Sequence, residues 1–332
     1  MNWNMVGHEW AVRWLSEHIA RDRYRHAYLF TGPPGIGKRS LALNFFKALN
    51  CQSPPQPGQM CNTCAACVRI QQAGHPDLDL VQAEQEGGTL RVDQIRALQR
   101  NLSLTPYEAR FRMALLLRFE EANPNAANAL LKTLEEPSPQ VVLILTAESA
   151  EQLLPTIVSR CEVLRMGPIP LQTVSESLQS RWGLSAEQAT LLAHLSGGRV
   201  GYALKLHQDP QKLEQRQSWL DELSRLLTSG RVARFAYVEN LVKDKEKARQ
   251  VFQLWLSFWR DIMLRVSGAA APLTNLDRAE EIEKICAKID LHSAGETVVA
   301  LQRTIAHLDG NVNARLAAEV LVLDMPGLDG EL

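Results

Sequence analysis

Thr31-Gly32-Pro33-Pro34-Gly35-Ile36-Gly37-Lys38-Arg39-Ser40 lies between an apolar run, His26-Ala27-Tyr28-Leu29-Phe30, and a helix-like segment from Leu41 to Leu49. A strand that enters a glycine-rich loop and opens into a helix is the setting of a phosphate-binding P-loop, G-x-x-x-x-G-K-[ST]. In that motif backbone N–H groups cradle phosphate, the lysine reaches the outer phosphates and the hydroxyl holds Mg²⁺. Gly32, Gly37 and Lys38 fit the pattern, and Gly32, Gly35, Gly37 and Lys38 are the candidate phosphate-contacting residues.

The departure from the motif is as informative as the match. Arg39 occupies the hydroxyl position, and a guanidinium has no lone pair to offer a cation that demands oxygen ligands. Ser40 comes one residue late, so its side chain points about 100° further round the helix. The loop retains the means to wrap a phosphate, but the part that positions metal for hydrolysis is altered.

Outward from this loop, helical and short apolar stretches alternate, as expected of an α/β unit with a parallel sheet. Met113 to Leu117 and Val141 to Thr146 read as further strands. Between them Ala127, Leu130, Leu131 and Leu134 fall at i, i+3, i+4, i+7, the spacing of an amphipathic helix facing a core, closed at Glu135-Glu136-Pro137. Gly167-Pro168-Ile169-Pro170 breaks the chain, and strand-like signal ends there. We therefore expect a P-loop domain over 1–167, a small helical domain over 168–208 with breaks at Gly183 and Gly197-Gly198, and a helical bundle over 209–332. In the last of these Trp219, Leu223, Leu226 and Leu227 share one face and Phe252, Trp255, Leu256 and Trp259 another. Ser267 to Pro272 is expected to be a loop within it. Such stripes are read as core and interface rather than as a base-stacking platform.

Thirty-six basic and 37 acidic residues leave a net charge of −1, so there is no overall positive field of the kind that holds nucleic acid. No apolar run approaches the ~20 residues needed to span a bilayer, and the N-terminus carries no signal-peptide pattern, so a cytoplasmic location without membrane contact is expected. Of six cysteines, Cys51, Cys61, Cys64 and Cys67 cluster, while Cys161 and Cys286 stand alone. Four thiolates close a tetrahedral structural zinc site, and the Gln52-to-Gly58 connector is too rich in proline to form a regular element. An iron–sulfur cluster is the rival, although the fourth cysteine followed by proline is missing, and free or redox-active thiols are a third reading. His75 is read as a hydrogen-bonded residue rather than an additional ligand.

The order of these pieces is specific. The altered P-loop, the cysteine module of residues 51–67, Val92-Asp-Gln-Ile-Arg96, Asn128-Ala-Leu-Leu-Lys-Thr-Leu-Glu-Glu-Pro137, Leu154-Pro-Thr-Ile-Val-Ser-Arg-Cys161 and Asn311-Val-Asn-Ala-Arg-Leu-Ala-Ala-Glu319 together resemble the bacterial DNA polymerase III clamp-loader subunits over essentially the whole chain. The resemblance implies an AAA+ core, a helical lid and a helical collar. It also implies assembly with gamma/tau and delta subunits in a pentameric ring that acts on a sliding clamp and primed DNA.

Two kinds of subunit must then be separated, an ATP-hydrolysing motor of the gamma/tau type and a stator without ATPase activity. The family's Walker B acidic pair falls at Leu117 and Arg118, and its sensor-2 arginine at Gly201, with Arg199 two residues away. Without the carboxylates neither Mg²⁺ nor an attacking water is positioned, which makes ATP binding doubtful and hydrolysis unexpected. Glu120 and Glu121 would substitute only if the strand register shifted. A chain of this length also matches the stator better than the longer motor form. By contrast Ser159-Arg160-Cys161 is intact, and the resemblance makes Arg160 an arginine finger acting in trans on a neighbour's nucleotide. A local ion pair with Glu162 or Glu148 is the plainer role for that arginine. A stand-alone zinc-dependent DNA-binding protein is a further reading, but the basic stripe it requires is missing.

Overall fold

Five short segments, Ala27–Thr31 (β1), Leu78–Val81 (β2), Arg112–Leu116 (β3), Val141–Ala147 (β4) and Glu162–Arg165 (β5), form one parallel sheet in the order β2-β3-β4-β1-β5. The computed structural model describes residues 3–85, 87–309 and 313–328. Every residue of β1, β3 and β4 is buried, because helices cover both faces of the sheet. The two-residue period of a strand divides them. Tyr28, Phe30, Met113, Leu115 and Ile144 join one core, while Ala27, Leu29, Ala114, Leu116, Leu143 and Leu145 join the other.

The first face is covered by Glu9–Ala20 (α1) and Lys38–Asn50 (α2), with the short helix Ala65–Gln71 (α3) packed on α2. The second is covered by Val92–Leu102 (α4) and Pro124–Glu135 (α5), which bury Ile95, Leu98, Ala127, Leu130 and Leu134. Asn123 caps α5 by accepting the Ala126 N–H at 2.8 Å, and Pro124 occupies the first turn, where its missing N–H costs nothing. The α/β reading is thus met. β2 and β5 escaped the sequence reading because they are the two edge strands, four residues each and only partly buried, with Asp79, Glu162 and Arg165 breaking their apolar pattern. The helix after the loop begins at Lys38, three residues before its apolar stripe, because Gly37 feeds directly into it.

Asp77 at the foot of β2 is fully buried and accepts backbone N–H groups from Tyr107 at 2.6 Å and from Glu108 and Ala109 at 2.9 Å. Burial disfavours its charge, but these donors outweigh that cost and hold the carboxyl below its usual range. A depressed folded value contributes stability that is complete above the unfolded pKa of about 3.9 and is lost as pH falls through the folded one. Asp77→Asn is therefore expected to cost about 1–3 kcal/mol at pH 7 and much less near pH 3, as read by urea denaturation at the two pH values.

After α6 (Pro155–Val158) and β5 the chain is helical: Leu171–Trp182 (α7), Ala186–Leu195 (α8), Val200–Gln208 (α9), Pro210–Leu227 (α10), Arg231–Leu241 (α11), Lys245–Val266 (α12), Ala279–Cys286 (α13), Leu291–Asp309 (α14) and Ala314–Asp324 (α15). The chain forms two compact units. One runs to Ser177 and includes Gly198–Tyr202, and the other comprises Leu178–Gly197 and the residues from Ala203 onward.

In the second unit α12 packs against α14, and Leu220, Leu223, Phe252, Trp255, Phe258 and Trp259 form its core, with Trp219 and Leu256 partly buried at the margin. Arg234 on α11 ties this unit together. Its guanidinium donates to the carbonyls of Leu226 (2.9 Å), Leu227 (3.1 Å), Val322 (3.0 Å) and Met325 (2.7 Å), satisfying the carbonyls at the ends of α10 and α15. Asn313 caps α15 through the N–H groups of Arg315 and Leu316. Asn311 and Val312 of the same motif lie outside the described residues. Among the described residues no helix is long and apolar enough to cross a membrane.

Candidate functional site

The glycine-rich loop leaves the end of β1 and turns back through Gly32, Gly35 and Gly37, whose φ angles are 144°, 80° and 110°. Two of these positions are close approaches of backbone to backbone. The Gly32 N–H is shared between the carbonyls of Ala147 (3.2 Å) and Glu148 (3.0 Å) at the end of β4. Gly35 lies against the start of α9: its carbonyl accepts the Gly201 N–H at 2.8 Å, and a Cβ on Gly35 would overlap the backbone of Tyr202. A Cβ on Gly201 would meet the Gly35 carbonyl in turn, so no side chain is tolerated where a sensor arginine would stand.

Lys38 is turned inward. Its ammonium donates to the carbonyls of Gly32 and Pro33, the latter at 3.4 Å, so it is bound to its own loop. Burial lowers its pKa, and the charges of Glu120 and Glu148 oppose that shift. Burial also raises the Glu120 carboxyl, Glu148 adds to the rise, and one Glu120 oxygen is buried without a hydrogen-bond partner. Arg199 lies with its guanidinium 4.5 Å from the Tyr202 ring centroid and feels Glu148 as well. The loop is therefore lined by two cations, Lys38 and Arg199, set against two carboxylates, Glu120 and Glu148, all supplied by the chain itself.

Leu117 and Arg118 directly follow β3, whose register is held by pairing of Leu116 with Leu145. Leu117 is buried, and Arg118 turns the backbone at φ 49° and pairs with Glu121 at 2.8 Å. Glu121 also accepts the Gly87 N–H at 3.0 Å. The strand has not slipped. Glu120 nevertheless reaches the vicinity of Lys38 from a single 3₁₀ turn, Phe119–Glu121, a placement that the strand-register argument missed.

Cys51 ends α2 and Cys61, Cys64 and Cys67 follow a turn-rich connector, yet the four sulfurs lie within 4.8 Å of one another. A tetrahedral ion bound at about 2.3 Å would hold them roughly 3.8 Å apart, so the donors are already gathered and fit a metal ion. Backbone donors point at the sulfurs: Cys61 N–H to Cys51 Sγ (3.3 Å) and Cys64 N–H to Cys61 Sγ (3.2 Å). The Thr63 hydroxyl, followed by the N–H groups of Thr63 and Cys64, holds the Cys61 thiol down at about 5, whereas burial pushes Cys51 and Cys67 up. The connector docks on α1 at Gly58, whose carbonyl accepts from Trp3 Nε1 (3.1 Å) and Ser16 Oγ (2.9 Å). At φ 78° and flush against the Ser16 carbonyl, position 58 excludes any side chain. His75 stays outside the cluster, buried, with Nδ1 accepting the Asp77 N–H at 3.1 Å. Cys161 also stands apart, its thiol pushed up by burial to about 12.

Arg160 follows α6 at the margin of the sheet domain, about one-third exposed. It donates to the Thr156 carbonyl at 2.8 Å and pairs with Glu135 at 2.6 Å. Its ionic partner is thus the first glutamate of the Glu135-Glu136-Pro137 stop, not Glu162 or Glu148. That pairing joins two of the quoted motifs, the end of α5 and the turn after α6.

A parallel sheet with a glycine-rich loop behind β1, a four-cysteine insert able to hold a metal ion and a helical remainder defines an α/β protein of the P-loop type, with Arg39 at the hydroxyl position of the loop. The profile described as DNA polymerase III, delta subunit, matches residues 7–170, and that described as DNA polymerase III, delta subunit, C terminal, matches residues 210–326. The chain is 30% identical over 317 residues to DNA polymerase III subunit delta' of Bacillus subtilis, covering 94% of each chain. It is 38% identical over 223 residues to the delta' subunit of Pseudomonas aeruginosa, covering 66% of each. Against the tau subunit of B. subtilis it is 30% identical over 250 residues, but these span only 42% of that protein. The chain belongs to the delta-prime family of DNA polymerase III clamp-loader subunits.

Proposed function

We propose that this chain is the stator of a DNA polymerase III clamp loader. In this reading it does not hydrolyse ATP and lends Arg160 in trans to the neighbouring gamma/tau-type subunit while the sliding clamp is loaded onto primed DNA. The observation that carries the proposal is a contrast: Lys38 is bound to its own loop carbonyls, whereas Arg160 stands at the domain margin, held by a surface ion pair. A planar guanidinium presented from a rigid turn stabilises charge on a transferring phosphoryl group without forming a covalent bond. Gly32, Gly35, Gly37 and Lys38 are in this proposal a vestigial phosphate loop.

The same proposal takes 1–167 as AAA+ core, 168–208 as lid and 209–332 as collar, with gamma/tau and delta subunits completing a pentameric ring. Leu316, Val320 and Leu323 are exposed along one side of α15 and support packing of a further subunit there. A structural zinc in the cysteine cluster belongs to it too. An iron–sulfur cluster would lie between its ligands and spread them further, and no donor position is left open for catalysis.

Glu120 beside Lys38 favours the second reading, a motor subunit with a displaced carboxylate. Titration calorimetry and phosphate-release assays on the chain alone with Mg²⁺ and ATP separate the two. We expect no turnover. Metal-dependent turnover abolished by Glu120→Gln would establish the motor reading instead.

A further inference from the structure

Lys47 lies in the last turn of α2, four residues before Cys51, and is 5% exposed. Its ammonium donates to Asn62 Oδ1 at 3.0 Å and to Gln71 Oε1 at 2.7 Å. Both acceptors are neutral amides, and none of the ion pairs among the described residues involves this lysine. A buried ammonium needs an opposite charge, since removing it from water costs several kcal/mol that neutral acceptors do not repay. These two hydrogen bonds fix the ammonium beside the cysteine run, since Asn62 lies between Cys61 and Cys64 and Gln71 four residues after Cys67. The sulfurs would supply the opposite charge once they are ionised on a metal.

One of the two amides lies within the cysteine run and the other just after it. Asn62 sits between Cys61 and Cys64 with φ 61°, a conformation that turns its N–H toward the Cys67 sulfur while its side chain accepts from Lys47. Gln71 closes α3, one helical turn beyond Cys67. Four thiolates around a divalent ion carry a formal charge of −2, which a half-buried site cannot leave wholly uncompensated.

We propose that Lys47 is the counter-ion of the cysteine–metal centre, held in place by Asn62 and Gln71, and that it slows loss of the metal. The proposal rests on a divalent metal occupying the cysteine cluster. The interaction is electrostatic and positional; Lys47 is not a ligand. Residues that contact metal ligands from outside typically govern 10- to 100-fold in affinity, and a charge compensator falls in that class.

The test uses the full chain loaded with zinc. Metal content is measured first, then zinc release to a colorimetric chelator is followed for the wild type, Lys47→Gln, Lys47→Arg and Gln71→Glu. We expect one zinc per chain. Lys47→Gln should release zinc about 10- to 100-fold faster, and Lys47→Arg, which keeps the charge, should stay close to wild type. Gln71 is on the surface, so Gln71→Glu should fold normally; its carboxylate would engage the ammonium and also accelerate release. Melting of the chelated proteins supplies a control, because a purely packing role for Lys47 would destabilise the metal-free and metal-loaded forms equally. A wild-type chain without metal would overturn the cluster assignment itself. A metal-loaded wild type with release rates unchanged in both Lys47→Gln and Gln71→Glu would overturn the counter-ion role and leave the cluster standing.

Discussion

Arg160→Ala is expected to slow ATP hydrolysis at the adjoining subunit's site by about three orders of magnitude, with little change in this chain's own stability. The magnitude follows from the chemistry of phosphoryl transfer, in which a cation fixed near the terminal phosphate is worth 10³–10⁵ in rate. The small stability cost follows from the structure. Arg160 and Glu135 are one-third and one-half exposed, and such pairs contribute about 0–1 kcal/mol. The pair is therefore weak enough for the guanidinium to exchange Glu135 for a phosphate, while the Thr156 carbonyl keeps it aimed. Lysine at this position should recover little, because it lacks the planar, bidentate fork. The measurement is single-turnover hydrolysis in a reconstituted complex with one ATPase neighbour, with denaturant melts of the isolated variant alongside. Full activity in the alanine complex would remove the trans role and leave a scaffold.

Replacing Cys64 should invert that ranking. With the proposed metal bound, loss of one cysteine or chelation would leave residues 51–67 with little apolar core of their own, chiefly Met60 and Cys67. A metal held 1,000-fold above its dissociation constant contributes about 4 kcal/mol, which sets the scale of the expected drop in unfolding free energy of Cys64→Ala. The partner's hydrolysis rate should stay within about threefold of wild type, since the role proposed for Arg160 does not pass through these cysteines. Calorimetric melts with and without chelator, paired with the reconstituted assay, read both quantities. A variant that melts normally but halts the partner's ATPase would show that the cluster serves the interface rather than the fold.

Much of this protein was legible in contiguous residues. The strand–loop–helix around Gly32 to Lys38, the motif departure at Arg39, the cysteine spacing and the stripe of α5 are local patterns, set by a two-residue or 3.6-residue period or by motif spacing. The edge strands β2 and β5 were not, because four residues are too few to show a period and a partly buried edge strand tolerates charges such as Asp79, Glu162 and Arg165.

What the sequence determined by itself is therefore the α/β order, the identity of the candidate ligands and the departure of the loop from its motif at Arg39. The tertiary structure alone decided where the charges go. It turned Lys38 onto its own carbonyls, brought Glu120 to the loop without shifting the strand, and set Glu135 against Arg160 and Lys47 against Asn62 and Gln71. Apart from Lys38 and its loop, these partners are separated along the chain, so no local periodicity encodes them. They meet because a charged group drawn out of water must find an opposite charge or a hydrogen bond wherever the packed elements leave it.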